Sequence, residues 1–443
     1  MSFLRFAARL RRAAIAAALV FPAVSVCLSA SEDALLNKLV EKGILTSDEA
    51  KTLRTEADQD FTKAYAAKSG LPEWVSSLKF KGDLRLRAEQ ISFDTGAFPD
   101  RTRLRYRLRF GVVAAMNDDF EVGFQLASGD GNPISNNTTL ANNASKKPIG
   151  IDLAYAKWTP LHDGSWSGGL TAGKLENPFT FSEMVFDVDY TLEGAATQFG
   201  YKLNDAQQFK LVGGGFVLNE LRASSHDPFL VAAQARWESS WSKEWKSSVG
   251  VAVLGITHDE TLTTGSITDV NAGNTRTTLP GPGAAPAYGF NPVVADAAVT
   301  WTGLTVPGYP GAFPVKLAAE FLNNPAASHQ NSGFNGSLNL GKAGKHGTWE
   351  LSYQFRYLEA DAWFEELIDD DFGAVYGTAS RRGPAGFGAG TNVRGHILKA
   401  SYSPYDSLTL SFGVYLTELV QRNGDDTGAD GALRLRLDAL WKF

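Results

Sequence analysis

The chain has 443 residues, a formal net charge of −6 and one cysteine, Cys27. The acidic balance argues against a general nucleic-acid-binding protein, because such proteins present a basic surface to phosphates. Glycine is frequent, at 44 residues, and aromatic residues make up 11% of the chain. This composition suits an all-β protein with many turns.

Residues 1–30 have the pattern of a secretory signal peptide. An apolar run over residues 13–28 follows a basic start that contains Arg5, Arg9, Arg11 and Arg12. We expect cleavage of this segment, so that the mature chain starts near Ser31. Removal of the four arginines leaves 38 basic and 48 acidic residues, a net charge near −10, and no cysteine for a disulfide or a thiolate site.

Residues 31–70 predict a short helical segment ahead of the strands. One helical face is apolar and consists of Leu35, Leu36, Leu39 and Val40. Thr46 and Glu49 have the spacing of a capping box, which opens a second helix. The segment is too short to form a core of its own. Its pattern fits a solvated leader and a helical oligomerisation or tethering segment equally.

The stretch 101–110, RTRLRYRLRF, alternates between arginine and other residues. Arginine takes every odd position, and every even position from Leu104 to Phe110 is apolar. Successive side chains of a β-strand point to opposite faces, so this pattern predicts a strand with one guanidinium face and one apolar face. Such a strand needs water on one side and an apolar medium on the other, which a water-filled barrel in a membrane provides.

No run after the signal approaches the roughly 18 to 20 apolar residues of a membrane helix, so a membrane-spanning chain would have to cross as strands. The sequence predicts an all-β fold, a transmembrane antiparallel β-barrel over residues 71–443. Sixteen strands are expected, an even number as in bacterial single-chain barrels. They cover residues 78–91, 101–116, 120–129, 150–160, 168–174, 192–202, 207–219, 228–240, 245–257, 291–303, 313–322, 332–342, 347–360, 392–403, 408–420 and 431–443.

The predicted connections alternate between short and long, which is typical of outer-membrane barrels with short periplasmic turns and long external loops. Aromatic side chains concentrate at membrane interfaces, and six tryptophans fall at the predicted periplasmic strand ends: Trp158, Trp237, Trp245, Trp301, Trp349 and Trp441. The last strand alternates apolar and charged residues up to Phe443. This ending resembles the C-terminal signal of outer-membrane barrels, so we expect the barrel-assembly machinery as a partner.

Several segments carry a resemblance to a known family. They are LLNKLVEKGILTSDEA, GDLRLRAE, RTRLRYRLRFGVVAAMNDDFEVGFQLASGDG, GKLENPF with VFDVDYTLEGAATQFGY, and the terminal Trp441-Lys442-Phe443. On these segments the chain resembles the putative porin family of Gram-negative outer membranes. The resemblance implies a sixteen-stranded barrel for passive diffusion and a homotrimer, as in general porins. It carries over no selectivity residue.

Closure of the barrel would set the last strand beside the first, which is joined to the arginine strand. An arginine on the lipid face at mid-membrane costs roughly 2–4 kcal/mol, so the five arginines must face the lumen. Asp83, Glu89 and Asp438 are the acids that share these faces. The predicted pore-lining basic wall consists of Lys79, Lys81, Arg85, Arg87, Arg101, Arg103, Arg105, Arg107, Arg109, Arg434 and Arg436.

The third external loop, residues 175–191, occupies the place where general porins fold a loop inward. The predicted constriction-loop acids are Glu176, Glu183, Asp187, Asp189 and, just beyond the loop, Glu193. We expect them to face the basic wall and to create a transverse field that orients dipolar solutes and favours anions. In the alternative, the loop only braces the wall.

A second acidic cluster lies in the long loop 361–391, and we expect this loop to be solvated because it lacks a calcium-loop pattern. No metal, cofactor or catalytic site is predicted. The six histidines lack paired metal-ligand spacing. The GSWSG motif at residues 164–168 lies in a short turn instead of between a strand and a helix.

The sequence therefore predicts a porin of the Gram-negative outer membrane, exported with a cleaved signal, through which small hydrophilic solutes diffuse with a preference for anions. The expected partners are outer-membrane lipid, the assembly machinery, the solutes and further copies of the chain, with no nucleic acid. Two alternatives stay open, namely a solute-specific channel for phosphate or organic acids and a structural or adhesive surface barrel. We expect no enzyme activity.

Overall fold

The computed structural model of the protein describes residues 38, 40–42, 46, 49, 50, 52, 53, 72, 74–94, 99–117, 119–263, 273–279, 284–373, 390–421 and 431–443. The chain forms two compact units, Met1–Glu73 and Trp74–Phe443. Among the described residues, no helix combines the length and the apolar character needed to cross a membrane.

In the first unit, a few helical positions are described. Lys38, Val40 and Glu41 are helical. The Thr46 amide donates to Glu49 Oε2 at 2.8 Å, and the Glu49 amide donates to Thr46 Oγ1 at 3.2 Å, which is the reciprocal pattern of a capping box. The signal peptide and most of the helical segment 31–70 lie outside the described residues, so both stay predictions.

In the described part of the second unit, sixteen long strands and the two-residue strand Thr138–Thr139 form one antiparallel sheet. The number and the order of the long strands agree with the sequence prediction. We number the long strands in chain order as β1 Val75–Phe93, β2 Arg101–Met116, β3 Phe120–Ser128, β4 Ile149–Asp163, β5 Trp166–Leu175, β6 Leu192–Asn204, β7 Gln207–Val217, β8 Phe229–Ser240, β9 Trp245–Thr257, β10 Val293–Leu304, β11 Phe313–Asn323, β12 Ser332–Gly341, β13 Trp349–Leu358, β14 Val393–Tyr405, β15 Leu408–Leu419 and β16 Gly431–Lys442.

The sheet closes into a barrel because β1 pairs with both β2 and β16. Arg87 on β1 lies opposite Arg105 on one side and opposite Asp438 on the other. At the end of this seam, the Gly82 amide donates to the Phe443 carbonyl at 2.9 Å, and the Phe443 amide donates to the Gly82 carbonyl at 3.1 Å. A Cβ at position 82 would lie 2.5 Å from the Phe443 ring, so glycine is needed there. The predicted transmembrane antiparallel β-barrel is thus confirmed.

Side-chain exposure follows the predicted alternation. On the outside, Phe80, Leu104 and Leu437 expose 65%, 54% and 56% of their surface. On the inside, Arg107 and Arg434 expose only 5% and 3%. The barrel therefore presents an apolar band to lipid and keeps its guanidinium groups within, which are the two environments that the arginine alternation requires.

The two ends of the barrel differ in their connections. At the short-turn end the connections are two to eight residues long, and at the opposite end they are seven to 35 residues long. Trp245 and Trp301 stack at the short-turn end with ring centroids 5.9 Å apart. Nine tryptophans lie in or beside the strand ends here, including the six predicted: Trp74, Trp158, Trp166, Trp237, Trp241, Trp245, Trp301, Trp349 and Trp441.

Two long connections, L3 and L7, fold into the barrel. L3 consists of residues 176–191, and L7 consists of residues 359–373, the described first part of the connection 359–392. The prediction that this second acidic loop is solvated is wrong, because Asp361, Glu365 and Asp369 are each no more than 3% exposed. The physical reason is the apolar sequence between these acids, which is buried against L3.

L3 and L7 share one apolar core with the strands around them. Met184 and Val185 of L3 are fully buried, as is Trp363 of L7. The Trp363 indole N–H donates to the Val185 carbonyl at 2.9 Å, and its ring meets that of Phe186 edge-on with centroids 6.2 Å apart. The core fixes the two loops to each other inside the lumen.

We expect the substitution Trp363→Ala to lower the free energy of unfolding by about 3–5 kcal/mol, because it leaves a cavity in the core that joins the two loops. Urea unfolding of the barrel in detergent micelles measures this loss. Trp241→Ala is the matched control, since Trp241 is 59% exposed at the short-turn end. Equal losses in the two variants would show that Trp363 does not hold the loops.

Candidate functional site

The basic wall predicted from the sequence lies on β16, β1 and β2, which are neighbours at the seam. Arg85 lies opposite Arg107, and Arg87 lies opposite Arg105, across the β1–β2 pair. Like charges at this spacing repel one another, so the arrangement is favourable only when carboxylates lie among the guanidinium groups.

Two of these carboxylates, Asp83 and Asp438, belong to the wall itself. Asp83 contacts Arg107 at 3.0 Å and Arg109 at 2.7 Å. Asp438 accepts from Arg87 Nε at 2.8 Å across the seam. Each aspartate therefore joins charges on two neighbouring strands.

Glu89 is the third carboxylate of the wall, and it is 2% exposed. It forms ion pairs with Arg434 at 2.5 Å, with Arg105 at 3.7 Å and with Arg103. A buried carboxylate with three cationic partners offsets much of their mutual repulsion.

L3 supplies two further carboxylates to the wall. Asp189 contacts Arg107 at 2.8 Å and Arg109 at 3.5 Å. Glu176 contacts Lys81 at 2.9 Å. The structure thus brings two of the five predicted constriction-loop acids to the basic wall.

The other three predicted acids lie elsewhere. Glu183 is 3.6 Å from Arg356 on β13. Glu193 pairs at 2.9 Å with Lys174, between β5 and β6. Asp187 lies against the acids of L7, as described below. These three side chains make no ion pair with the predicted wall among the described residues.

Asp371 of L7 is a wall partner that sequence reasoning missed. It forms ion pairs with Arg87 at 3.2 Å, with Arg434 at 2.7 Å and with Arg436. Burial opposes ionisation, but the cations of Arg434, Arg87 and Arg436 hold the pKa of Asp371 well below its usual range. The signal that could have found it is the apolar content of the supposedly solvated loop, Trp363-Phe364 above all.

The charges at this site do not balance. Eight of the eleven predicted wall residues form ion pairs, with six carboxylates in all, namely Asp83, Glu89, Glu176, Asp189, Asp371 and Asp438. Lys79, Arg85 and Arg101 form no ion pair within the described residues. The wall therefore carries more positive charge than its carboxylate partners neutralise.

A cluster of three carboxyl groups joins L3 to L7. Oxygen atoms of Asp187, Asp369 and Asp370 lie within 4.8 Å of one another, and the Asp370 amide donates to Asp187 Oδ2 at 3.3 Å. Burial, together with repulsion from Asp371, raises the pKa of Asp370 to about 7. Burial and the neighbouring Asp370 and Asp369 also raise the pKa of Asp187. Protons on this cluster relieve the repulsion between the two loops.

Comparison with known families agrees with this architecture. The family model described as a putative porin matches residues 95–261, which run from the connection before the arginine strand past L3 to just beyond β9. The resemblance to putative porins is confirmed. The match and the barrel support an outer-membrane porin and indicate a channel rather than an enzyme. No curated protein sequence matches the chain.

Among solved structures, Pseudomonas putida OprB is 11% identical, with a TM-score of 0.48 and coverage of 85% of this chain and 96% of that chain. Salmonella typhi OmpF, solved with daunomycin, is 10% identical, with a TM-score of 0.45 and coverage of 83% and 97%. A triple mutant of Rhodopseudomonas blastica porin is 8% identical, with a TM-score of 0.41 and coverage of 83% and 100%. All three TM-scores are below 0.5, so the barrel is established by its own strand pairing.

The carboxyl cluster predicts that L7 docks more tightly at pH 5.5 than at pH 8. The pKa of Asp370 in the folded protein, about 7, lies above its unfolded value of about 3.9, so the folded state binds the proton more strongly. Docking stability is therefore lost as the pH rises between these two values. Hydrogen exchange of the peptide that covers residues 359–373, corrected for intrinsic rates, measures it. Asp370→Asn should weaken the pH dependence, and an unchanged dependence would contradict this assignment.

Proposed function

We propose that the protein is an outer-membrane porin through which small hydrophilic solutes diffuse passively, with a preference for anions. The observation that carries the preference is the excess of positive charge on the wall formed by β16, β1 and β2. L3 and L7 narrow the lumen in front of this wall, so a solute would pass close to its unneutralised groups. In a narrow, low-dielectric passage such a field raises the local concentration of the oppositely charged solute.

The proposal keeps the partners that the sequence suggests. The apolar exterior of the barrel fits outer-membrane lipid, and the alternating last strand fits recognition by the barrel-assembly machinery. Association into a homotrimer rests on the family resemblance. The short-turn end would face the periplasm, as short turns do in bacterial outer-membrane barrels.

Arg85 and Arg101 are the wall arginines without an ion pair in the described residues, so their neutralisation tests the proposal most directly. We expect the double variant Arg85→Gln/Arg101→Gln to reduce the anion-to-cation permeability ratio on the order of twofold to tenfold. Reversal potentials across planar bilayers in a potassium chloride gradient measure this ratio.

The matched control is Lys174→Gln. Lys174 is paired with Glu193, and it lies on the same outer face of β5 as the exposed Leu170. We expect no change in its permeability ratio. Cation preference in the unmodified protein would refute the anion preference. Absence of conductance from correctly folded protein would refute the porin itself.

A solute-specific anion channel is a second candidate. It is favoured by two arginines of the wall whose Nε donors lack a partner in the described part of the chain. Arg85 Nη2 donates to Asn137 Oδ1 at 2.8 Å, and Arg105 Nη2 donates to Ser135 Oγ at 3.5 Å. The Nε atoms of both arginines are buried and have no hydrogen-bond partner among the described residues. Buried donors of this kind favour an oxyanion that could satisfy them.

The second candidate predicts saturable transport of phosphate. If an oxyanion binds these donors, chloride conductance should be blocked by phosphate at concentrations far below that of chloride, and Arg105→Gln should remove the block. Single-channel recording with inorganic phosphate added at constant ionic strength measures this. A conductance that is unaffected by phosphate would leave general diffusion as the better description.

A further inference from the structure

A hollow lies in the barrel wall at the short-turn end, away from the arginine wall. It has a volume of 360 Å³, and β4, β5, β6 and β7 form it. Three lysines from three of these strands line it, namely Lys157 on β4, Lys202 on β6 and Lys210 on β7. No carboxylate is among the described residues that line it.

Glycines line the middle of the hollow. They are Gly169 on β5 and Gly200 on β6, and neither places a side chain in the hollow. A Cβ at Gly169 would lie 2.9 Å from the Trp158 carbonyl, and a Cβ at Gly200 would lie 2.5 Å from Ser167 Oγ. The depression therefore exists because glycine occupies these positions, and the lysines stand around it.

One of the three ammonium groups in the hollow forms an ion pair, and Lys157 lies opposite Glu121 in the register of β3 and β4. Lys210 pairs with Glu238 at 2.8 Å. Lys157 and Lys202 form no ion pair within the described residues. Neutral donors are also present in the lining. They are the amide of Gln198 and that of Gln208, which also donates to Glu238 Oε2 at 3.0 Å. Ammonium groups beside amide donors form a site for an oxyanion.

The neighbouring cavity differs in its charge. It has a volume of 720 Å³ and shares Lys202 and Gln208 with the hollow. It is also lined by Lys246 and Lys316, and by four carboxylates, namely Asp205, Glu238, Asp296 and Glu320. Both cavities therefore contain lysines. The hollow differs from its neighbour because no carboxylate is among the described residues that line it.

We infer that the hollow at Lys157, Lys202 and Lys210 is a second anion-binding site, which holds a small, multiply charged oxyanion of the phosphate type at the short-turn mouth of the lumen. The inference rests on the proposed function, because it gives an anionic solute a second contact in the same lumen. Three ammonium groups around one hollow favour a ligand that carries more than one negative charge.

Binding can be measured without transport, by isothermal titration calorimetry of the full barrel in detergent micelles with inorganic pyrophosphate as the probe. We expect the double variant Lys157→Gln/Lys202→Gln to weaken pyrophosphate binding about tenfold or more, since each lost charged donor removes a charge-assisted contact. The matched control is Lys246→Gln/Lys316→Gln, which removes the same charge from the neighbouring cavity and should leave the affinity within about twofold.

Gly200→Ala tests the shape of the hollow at constant charge. Its methyl group points at the Ser167 hydroxyl, which can rotate away, so the barrel is expected to fold while the hollow fills. We expect weaker pyrophosphate binding in this variant too. Heat-modifiable migration in gel electrophoresis verifies that each variant is folded.

The outcomes separate this inference from the proposed function. No pyrophosphate binding by the unmodified barrel, or equal loss in the two double-lysine variants, overturns the site while anion-selective conductance can still stand. Conversely, absence of conductance with binding intact would overturn the porin and leave the site. Loss confined to Lys157→Gln/Lys202→Gln and Gly200→Ala supports the inference.

Discussion

The constraint on which the structure depends is that guanidinium groups cannot face lipid. Five arginines at alternate positions of β2 would cost on the order of 10–20 kcal/mol on the outside of the barrel, so the parity of this strand is fixed. Hydrogen-bonded pairing transmits that parity to β1 and β16, which then contribute their own basic residues to the same wall. Once the wall faces the lumen, its like charges must be balanced by carboxylates. The segments that carry these carboxylates must therefore reach the wall.

Two loops that fold into the lumen meet that requirement. Asp189 of L3 and Asp371 of L7 reach the wall, and the apolar core around Trp363 holds the loops at the height where they do so. The same contacts therefore brace the wall and narrow the passage. Bracing does not exclude the proposed selectivity, because fewer carboxylates than basic groups take part in the ion pairs of the wall.

The strands could be predicted because a period of two is a local property of the sequence. The sixteen strands, the inward arginines and the tryptophan belt all follow from alternation and turn chemistry. Parity would also have excluded Glu193 from the lumen, since it shares the face of Phe199, which is 46% exposed on the outside. This criterion needed only the neighbouring positions in β6.

The partners of the wall could not be predicted in the same way. Loop conformation depends on contacts between segments that are distant in sequence, so no local pattern states that Asp371 rather than Glu183 meets the arginines. The acids of L7 suggested a solvated loop because their charge was considered without the apolar residues between them. Burial of Trp363 carries the neighbouring carboxylates into the lumen, and the wall supplies the cations that make their burial tolerable.

The seam between β1 and β16 links residues that are very distant in the chain. Arg87 pairs with Asp438 and Arg434 pairs with Glu89 across 351 and 345 residues. Contacts of such high sequence separation form late, because most of the intervening chain must be in place first. Until then β1 is a cationic edge strand, and its Arg87 lacks the carboxylate of Asp438. Because like charges repel, such an edge disfavours pairing with the same edge of another copy, so the charge of this strand limits wrong association while the barrel is incomplete.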